Sequence, residues 1–152
     1  MITFILVVLI LRLIHRFQYR IKTVNGIEES RYVNINGIKQ YILIRGNDRT
    51  NPVILFIHGG PASPMGFVAP YYQRELEQDY TIVYYDQRGC GRTYYANAKQ
   101  ADPTPEQLLA DVDAMVDYIR QYLEQEQVII MGHSWGTILG ITYVQMHPDK
   151  VA

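Results

Sequence analysis

The chain reads as an α/β protein with a mostly parallel sheet and an antiparallel N-terminal ribbon, and three observations predict this. Two short runs, Val53–Ile57 and Val128–Met131, carry no polar alternation, as expected of strands buried on both faces of a parallel sheet. Helix-compatible stretches alternate with these runs and with a third strand, Thr81–Tyr85, which marks βαβ organisation. Ahead of them, two alternating runs flank Asn36-Gly37, the strongest short hairpin signal.

The 152 residues, 48% hydrophobic and 19% charged, fit one globular domain with a sizeable core. Fourteen basic and fifteen acidic residues leave a net charge of −1, which gives no field to hold nucleic acid and points instead to a small or peptide-like substrate. Cys90 is the only cysteine, so no internal disulfide forms. No Cys/His cluster has metal-ligand spacing, and neither a metal nor another cofactor is expected.

Residues 1–22 are set apart from the globular part, residues 31–152. From Ile2 to Leu11 the chain is almost wholly apolar, and a basic run with Arg12, His15, Arg16, Arg20 and Lys22 follows. Counted over residues 2–14, a helix rises only about 20 Å against a hydrocarbon layer of about 30 Å. The expectation is a short membrane anchor, possible through residues 2–14, with Arg12 snorkelling and Phe17 and Tyr19 at the interface. No charged leader and no small-residue cleavage site suggest a secretory signal. Basic residues after the apolar run place the globular part in the cytoplasm by the positive-inside tendency; a plain cytoplasmic protein is the alternative.

Arg31–Asn36 and Lys39–Arg45 form the hairpin strands, an edge ribbon. After Val53–Ile57 comes His58-Gly59-Gly60-Pro61, where glycines let the backbone approach a ligand closely. Pro61 has no N–H, so Gly60 is the donor of choice, and His58 shapes the loop rather than serving as a base. Residues Met65–Gln78 read as a first crossover helix. Asp86-Gln-Arg-Gly-Cys-Gly-Arg92 makes a glycine-broken loop with no helix opening directly after it. Asp86 is expected to pin this loop by a charge-assisted hydrogen bond to Arg88 or Arg92, and Cys90 to pack as a small side chain. Thr104-Pro105-Glu106-Gln107 is a helix start with a capping box. Leu108, Leu109, Val112, Met115, Val116, Ile119, Tyr122 and Leu123 recur at helical spacing behind it, with Asp111, Asp113, Asp117, Arg120 and Gln121 assigned to a solvated face.

The apolar run at Val128 ends in Gly132-His133-Ser134-Trp135-Gly136. A serine forced into a sharp strand-to-helix turn needs neighbours without side chains two positions away on either side, and both are glycine. Ser134 is thereby the candidate nucleophile. The Trp135 N–H, at the start of the following helix, and the Gly60 N–H are candidate donors to an oxyanion.

In this order, His58-Gly-Gly-Pro61, Asp86-Gln-Arg-Gly-Cys-Gly-Arg92 and Gly132-His-Ser-Trp-Gly136 resemble the α/β-hydrolase superfamily, and within it the prolyl aminopeptidase (proline iminopeptidase) branch. The resemblance runs from about Arg31 to the end. It implies an α/β-hydrolase fold, Ser134 as nucleophile, Gly60 and Trp135 as oxyanion-hole donors, and His58, Gly59, Pro61, Asp86, Arg88, Gly132 and Gly136 as structural motif residues. It further implies release of an N-terminal residue from a peptide through an acyl-enzyme, or cleavage of a small ester or amide. Ala62 and Thr93 stand where the family usually has Gly and Ser. Epoxide hydrolases and dehalogenases of this superfamily place Asp where Ser134 stands, which disfavours their chemistry.

In this fold the nucleophile is followed along the chain by an Asp or Glu and then a His. Between Ser134 and Ala152 the only His is His147, at the end of the elbow helix, and His15, His58 and His133 are no better placed. The expectation is therefore the N-terminal part of an α/β-hydrolase, truncated after the nucleophile-elbow helix, with the elbow strand left as an open apolar edge. A catalytically incomplete fragment without activity is the competing reading.

Overall fold

A computed structural model of the chain describes residues 1–60, 62–97 and 102–152; Pro61 of the His-Gly-Gly-Pro motif lies outside the described residues. Within the helices, the side chains of Ile2, His15, Arg16, Ala69 and Pro70 are likewise not described. A five-stranded mixed sheet carries the fold: β1 (Ile27–Ile35), β2 (Ile38–Gly46), β3 (Val53–Ile57), β4 (Thr81–Tyr85) and β5 (Ile129–Gly132), in spatial order β1-β2-β4-β3-β5. The β1–β2 and β2–β4 pairings are antiparallel, whereas β4–β3 and β3–β5 are parallel. The antiparallel ribbon thus forms one side of the sheet and the predicted parallel strands the other.

The hairpin turns on Asn36 (φ 46°) and Gly37 (φ 79°), the pair of positive φ values that a type I′ turn requires. Helix α1 (Ile2–Gln18) precedes the sheet, α2 (Ala69–Tyr72) and α3 (Gly91–Ala96) are short, and α4 (Pro105–Leu123) and α5 (Trp135–Met146) are the main layers. The predicted capping box opens α4: the Thr104 side chain accepts from the Gln107 N–H, and the Gln107 side chain accepts from the Thr104 N–H. The buried face of α4 (Leu108, Val112, Met115, Val116, Ile119, Leu123) packs on one face of the sheet with Leu139 and Tyr143 of α5. On the other face Ile54, Phe56, Ile82 and Tyr84 are covered by Met65, Leu76 and Tyr80. Alternation along β3 therefore serves two cores, which explains its unbroken apolar run.

Four expectations need correction. The segment read as one crossover helix, Met65–Gln78, is only α2 and a separate 3-10 turn, Arg74–Gln78. Its Glu77 is 1% exposed and receives two bonds from the buried Arg45 guanidinium, at 2.6 and 3.2 Å, an attraction that turns this face inward instead of leaving it as a solvated helix surface. A short helix, α3, does open at Gly91, within the Asp86–Arg92 segment. Its first backbone donors are drawn to the loop: the Arg92 N–H donates to Asp86 Oδ2 at 2.7 Å. Helix α1 extends beyond the apolar run to Gln18, but among the described residues no helix is long and apolar enough to cross a membrane. Finally, β5 is the open edge expected of the elbow strand, but its side chains are half-buried rather than covered on both faces.

Beside β5, Val151 makes a parallel bridge to Val128. Ile138, Ile141 and Met146 of α5 are 60%, 56% and 60% exposed. An open apolar groove lined by Ile130, Gly140, Ile141 and Val144 runs between β5 and α5. The helix is apolar nearly all round, which suits a position covered on two sides; here one side is bare.

Candidate active site

Because β3, β4 and β5 are parallel, their carboxyl ends deliver His58, Asp86 and His133-Ser134 to one rim of the sheet. Ser134 takes φ 54°, ψ −121°, a region costly for any residue with a Cβ. It is exposed, at the N-cap of α5. The turn is held by the His133 N–H donating to Ile57 O (3.0 Å), the Gly136 N–H to His133 O (2.9 Å) and the Thr137 N–H to Ser134 O (2.9 Å).

The flanking glycines are required by backbone crowding. A Cβ on Gly136 would lie 2.0 Å from Ile57 O and 2.7 Å from His58 O, and one on Gly132 would lie 2.5 Å from Gly136 O. The absence of side chains lets α5 start directly against the ends of β3 and β5. Gly59 serves the same purpose across the rim, since its Cβ would sit 2.8 Å from Ser134 Cβ. The loop after β3 therefore rests on the elbow. Among the described residues, neither the Gly60 nor the Trp135 N–H donates to any acceptor, and Trp135 stands at the positive end of a helix of 12 residues.

His58 shapes the loop, as expected. It is 1% exposed; its Nε2 accepts from the Gln87 N–H at 3.1 Å, and its Nδ1 lies 2.9 Å from Gly59 O. An acceptor role for Nε2 puts the proton on Nδ1, which then donates to Gly59 O. The Gln87 side-chain amide returns a bond to His58 O at 2.8 Å. Burial pushes the His58 pKa below the usual imidazole value, with the Gly59 carbonyl and the Asp86 charge acting against that shift. The ring is a neutral clamp between the loops after β3 and β4.

Asp86 does pin its loop, but through the Arg92 backbone N–H rather than a guanidinium. Burial raises its pKa above the usual carboxylate range, partly offset by that bond and by His58 and Arg92. Arg88 pairs elsewhere: its Nε and Nη2 donate to the two oxygens of Asp111 at 2.8 and 2.9 Å. Asp111 is 1% exposed and also accepts from Asn36 and Gln40, so its assignment to the solvated face is corrected. Cys90 is buried, and desolvation pushes its thiol up to about 12, which removes it as a nucleophile.

Sequence reading missed Gln87 and Asp111. Nothing in the sequence distinguishes Gln87 from its loop neighbours. Asp111, however, lies three residues after Leu108 and four before Met115, inside the apolar stripe, and a charge placed there signals a buried partner.

Of the other imidazoles, His147 stacks on Tyr143 (centroids 4.8 Å apart), with Nδ1 3.7 Å from Asp113 Oδ1. It lies at the far end of α5, about 20 Å from Ser134 at 1.5 Å per residue. No described hydrogen bond joins Ser134 to a His.

The comparisons with known proteins agree with this geometry. The family profile described as "alpha/beta hydrolase fold" matches residues 52–152. Among curated relatives, "Probable aminopeptidase YbaC" of Bacillus subtilis is 35% identical over 117 residues, covering 77% of this chain and 37% of the relative. The "Proline iminopeptidase" of Neisseria gonorrhoeae is 40% identical over 129 residues, covering 80% and 37%. Among solved structures, an epoxide hydrolase from Vigna radiata superposes with a TM-score of 0.66 at 31% identity, covering 82% of this chain and 37% of that one. The chain thus spans just over a third of the length of the relatives it matches, and with its profile match, sheet order and elbow, it belongs to the α/β-hydrolase family.

Proposed function

We propose that the complete protein is a serine hydrolase of the prolyl-aminopeptidase type, which releases an N-terminal residue from a peptide through an acyl-enzyme. The observation that carries this reading is the Ser134 backbone at φ 54°, ψ −121° between two glycines that admit no Cβ. Such a turn stores strain that a merely structural serine has no use for. Attack by Ser134 Oγ on a scissile carbonyl would move charge onto the carbonyl oxygen, where the Gly60 and Trp135 N–H groups would receive it. Collapse of that intermediate would expel the amine and leave the ester, which water then hydrolyses. His58 is committed to the loop, so the reading assigns the base and its orienting carboxylate to residues outside this sequence.

Substrate choice rests on similarity to the proline iminopeptidases; a small ester or amide is the same chemistry on another acyl group. A catalytically incomplete chain is the second reading, favoured by the absence of a described His–Ser134 bond. The test is hydrolysis of prolyl-aminomethylcoumarin by the complete protein and its Ser134→Ala variant. A loss of at least about 10³-fold in kcat supports the reading, and an unchanged rate overturns it. Preference for p-nitrophenyl acetate over the prolyl amide would replace the peptidase assignment by an esterase.

A further inference from the structure

Helix α1 displays an apolar stripe that stays about half exposed or more along its length. Leu6, Val7, Ile10, Leu13, Ile14 and Phe17 are between 48% and 70% exposed. At 3.6 residues per turn they fall within a sector about 120° wide. The domain flanks the C-terminal half of the helix: Val8, Leu11, Arg12, Ile14 and Gln18 share an open cavity with Tyr71 of α2, and Leu13 and Phe17 border another with Glu28 and Leu43 of the ribbon. The exit from α1 is tied down: Arg45 Nη2 donates to Tyr19 O at 2.6 Å, and the Tyr19 ring lies 4.8 Å from that of Tyr71. The base of the helix is thus fixed against the domain.

Charge selects the occupant. Every Asp and Glu of the chain lies at or after Glu28, while Arg12, Arg16, Arg20 and Lys22 all fall before it. Lys22 Nζ sits 4.5 Å over the exposed Phe17 ring, so a cation and an aromatic edge share one end of the stripe. A protein groove complementary to the stripe would have to bring carboxylates to these cations, whereas an anionic bilayer offers phosphates and acyl chains side by side. The helix, 17 residues or about 25 Å, falls short of the hydrocarbon layer of about 30 Å.

We propose that α1 lies in the plane of an anionic lipid bilayer, with its stripe at the acyl boundary and the basic residues of positions 12–22 at the headgroups. This attachment is independent of the chemistry at Ser134.

The test is flotation of the chain, synthesised in the presence of phosphatidylcholine vesicles with or without 30% phosphatidylglycerol. Expected is flotation with the anionic vesicles. Binding should fall at least tenfold when Arg12, Arg16, Arg20 and Lys22 are replaced by Gln, and likewise for the Leu6→Ser, Ile10→Ser, Leu13→Ser triple variant. These positions lie outside both cores, and an unchanged unfolding midpoint of the soluble variants verifies the fold. Ile5→Cys, away from the stripe, should remain open to a membrane-impermeant maleimide added outside the vesicles. The proposal is overturned by failure to float, by equal binding to neutral and anionic vesicles, by protection of Ile5→Cys, which would mean a spanning helix, or by a vesicle-free dimer that the triple variant abolishes.

Discussion

Gly136→Ala is the substitution through which the packing of the elbow can be measured. An added Cβ would stand 2.0 Å from Ile57 O and 2.7 Å from His58 O, and neither backbone atom can rotate away. Restoring ordinary contact requires the end of β3 and the start of α5 to separate by more than about 1 Å. The bond from the His133 N–H to Ile57 O, now 3.0 Å, would stretch beyond hydrogen-bond range, at a cost of about 1 kcal/mol. Overpacking adds about 1–3 kcal/mol, and replacing Gly by Ala in a helix returns at most about 1 kcal/mol. The net expectation is a loss of about 1–3 kcal/mol. Gly140→Ala is the control: its Cβ would meet only side chains, Ile130 Cγ2 at 3.0 Å and Ile57 Cδ1 at an ordinary 3.8 Å, which can yield, so its effect should stay within about 0.5 kcal/mol. Urea unfolding followed by the fluorescence of Trp135, the single tryptophan, reads both. A Gly136→Ala stability within about 0.5 kcal/mol of the parent chain, or an equal loss in Gly140→Ala, would refute the argument.

Other outcomes follow from the same geometry. Ser134→Gly should stabilise the chain by about 1 kcal/mol or more by releasing backbone strain, whereas Ser134→Ala should not, and the same unfolding curves separate the two. Asp111→Ala should cost about 3–5 kcal/mol, because it strands the largely buried Arg88 and Gln40; an effect below about 1 kcal/mol would mean that Arg88 finds solvent. His58 should show the Nδ1–H tautomer by ¹⁵N NMR and stay neutral at pH 6.5. Its folded pKa is lowered, so the unfolded state takes up more protons. The stability this residue contributes is therefore present above the ordinary imidazole value of about 6.5 and lost as pH falls below it, through the folded pKa. Cys90, with its thiol pushed up to about 12, should resist iodoacetamide at pH 8 until the chain unfolds, which intact mass would record.

Much of this arrangement was legible because periodicity and turn chemistry act locally. The run Val53–Ile57, the Asn36-Gly37 turn and the Thr104–Gln107 box each contain their own physical cause, and each stands where the sequence places it. The elbow was legible for the same reason: two glycines around Ser134 anticipate a close approach of backbones. Partners brought together by the fold were not. Arg88 is 23 positions from Asp111 and Glu77 is 32 from Arg45, and no local pattern says which carboxylate a guanidinium will find. The burial of Glu77 in the first crossover segment was hidden likewise, since its partner Arg45 lies on a distant strand. For α1, hydropathy marks the segment as apolar, while its length argues against a spanning role.

The central claim is that the turn between β5 and α5 presents Ser134 as a nucleophile. Its most direct test is to treat the complete protein with a fluorophosphonate and locate the adduct by peptide mass spectrometry. The account predicts one adduct, on Ser134 Oγ, absent from Ser134→Ala and from heat-unfolded protein. A folded complete protein that stays unlabelled, or carries the adduct on another residue, would contradict it.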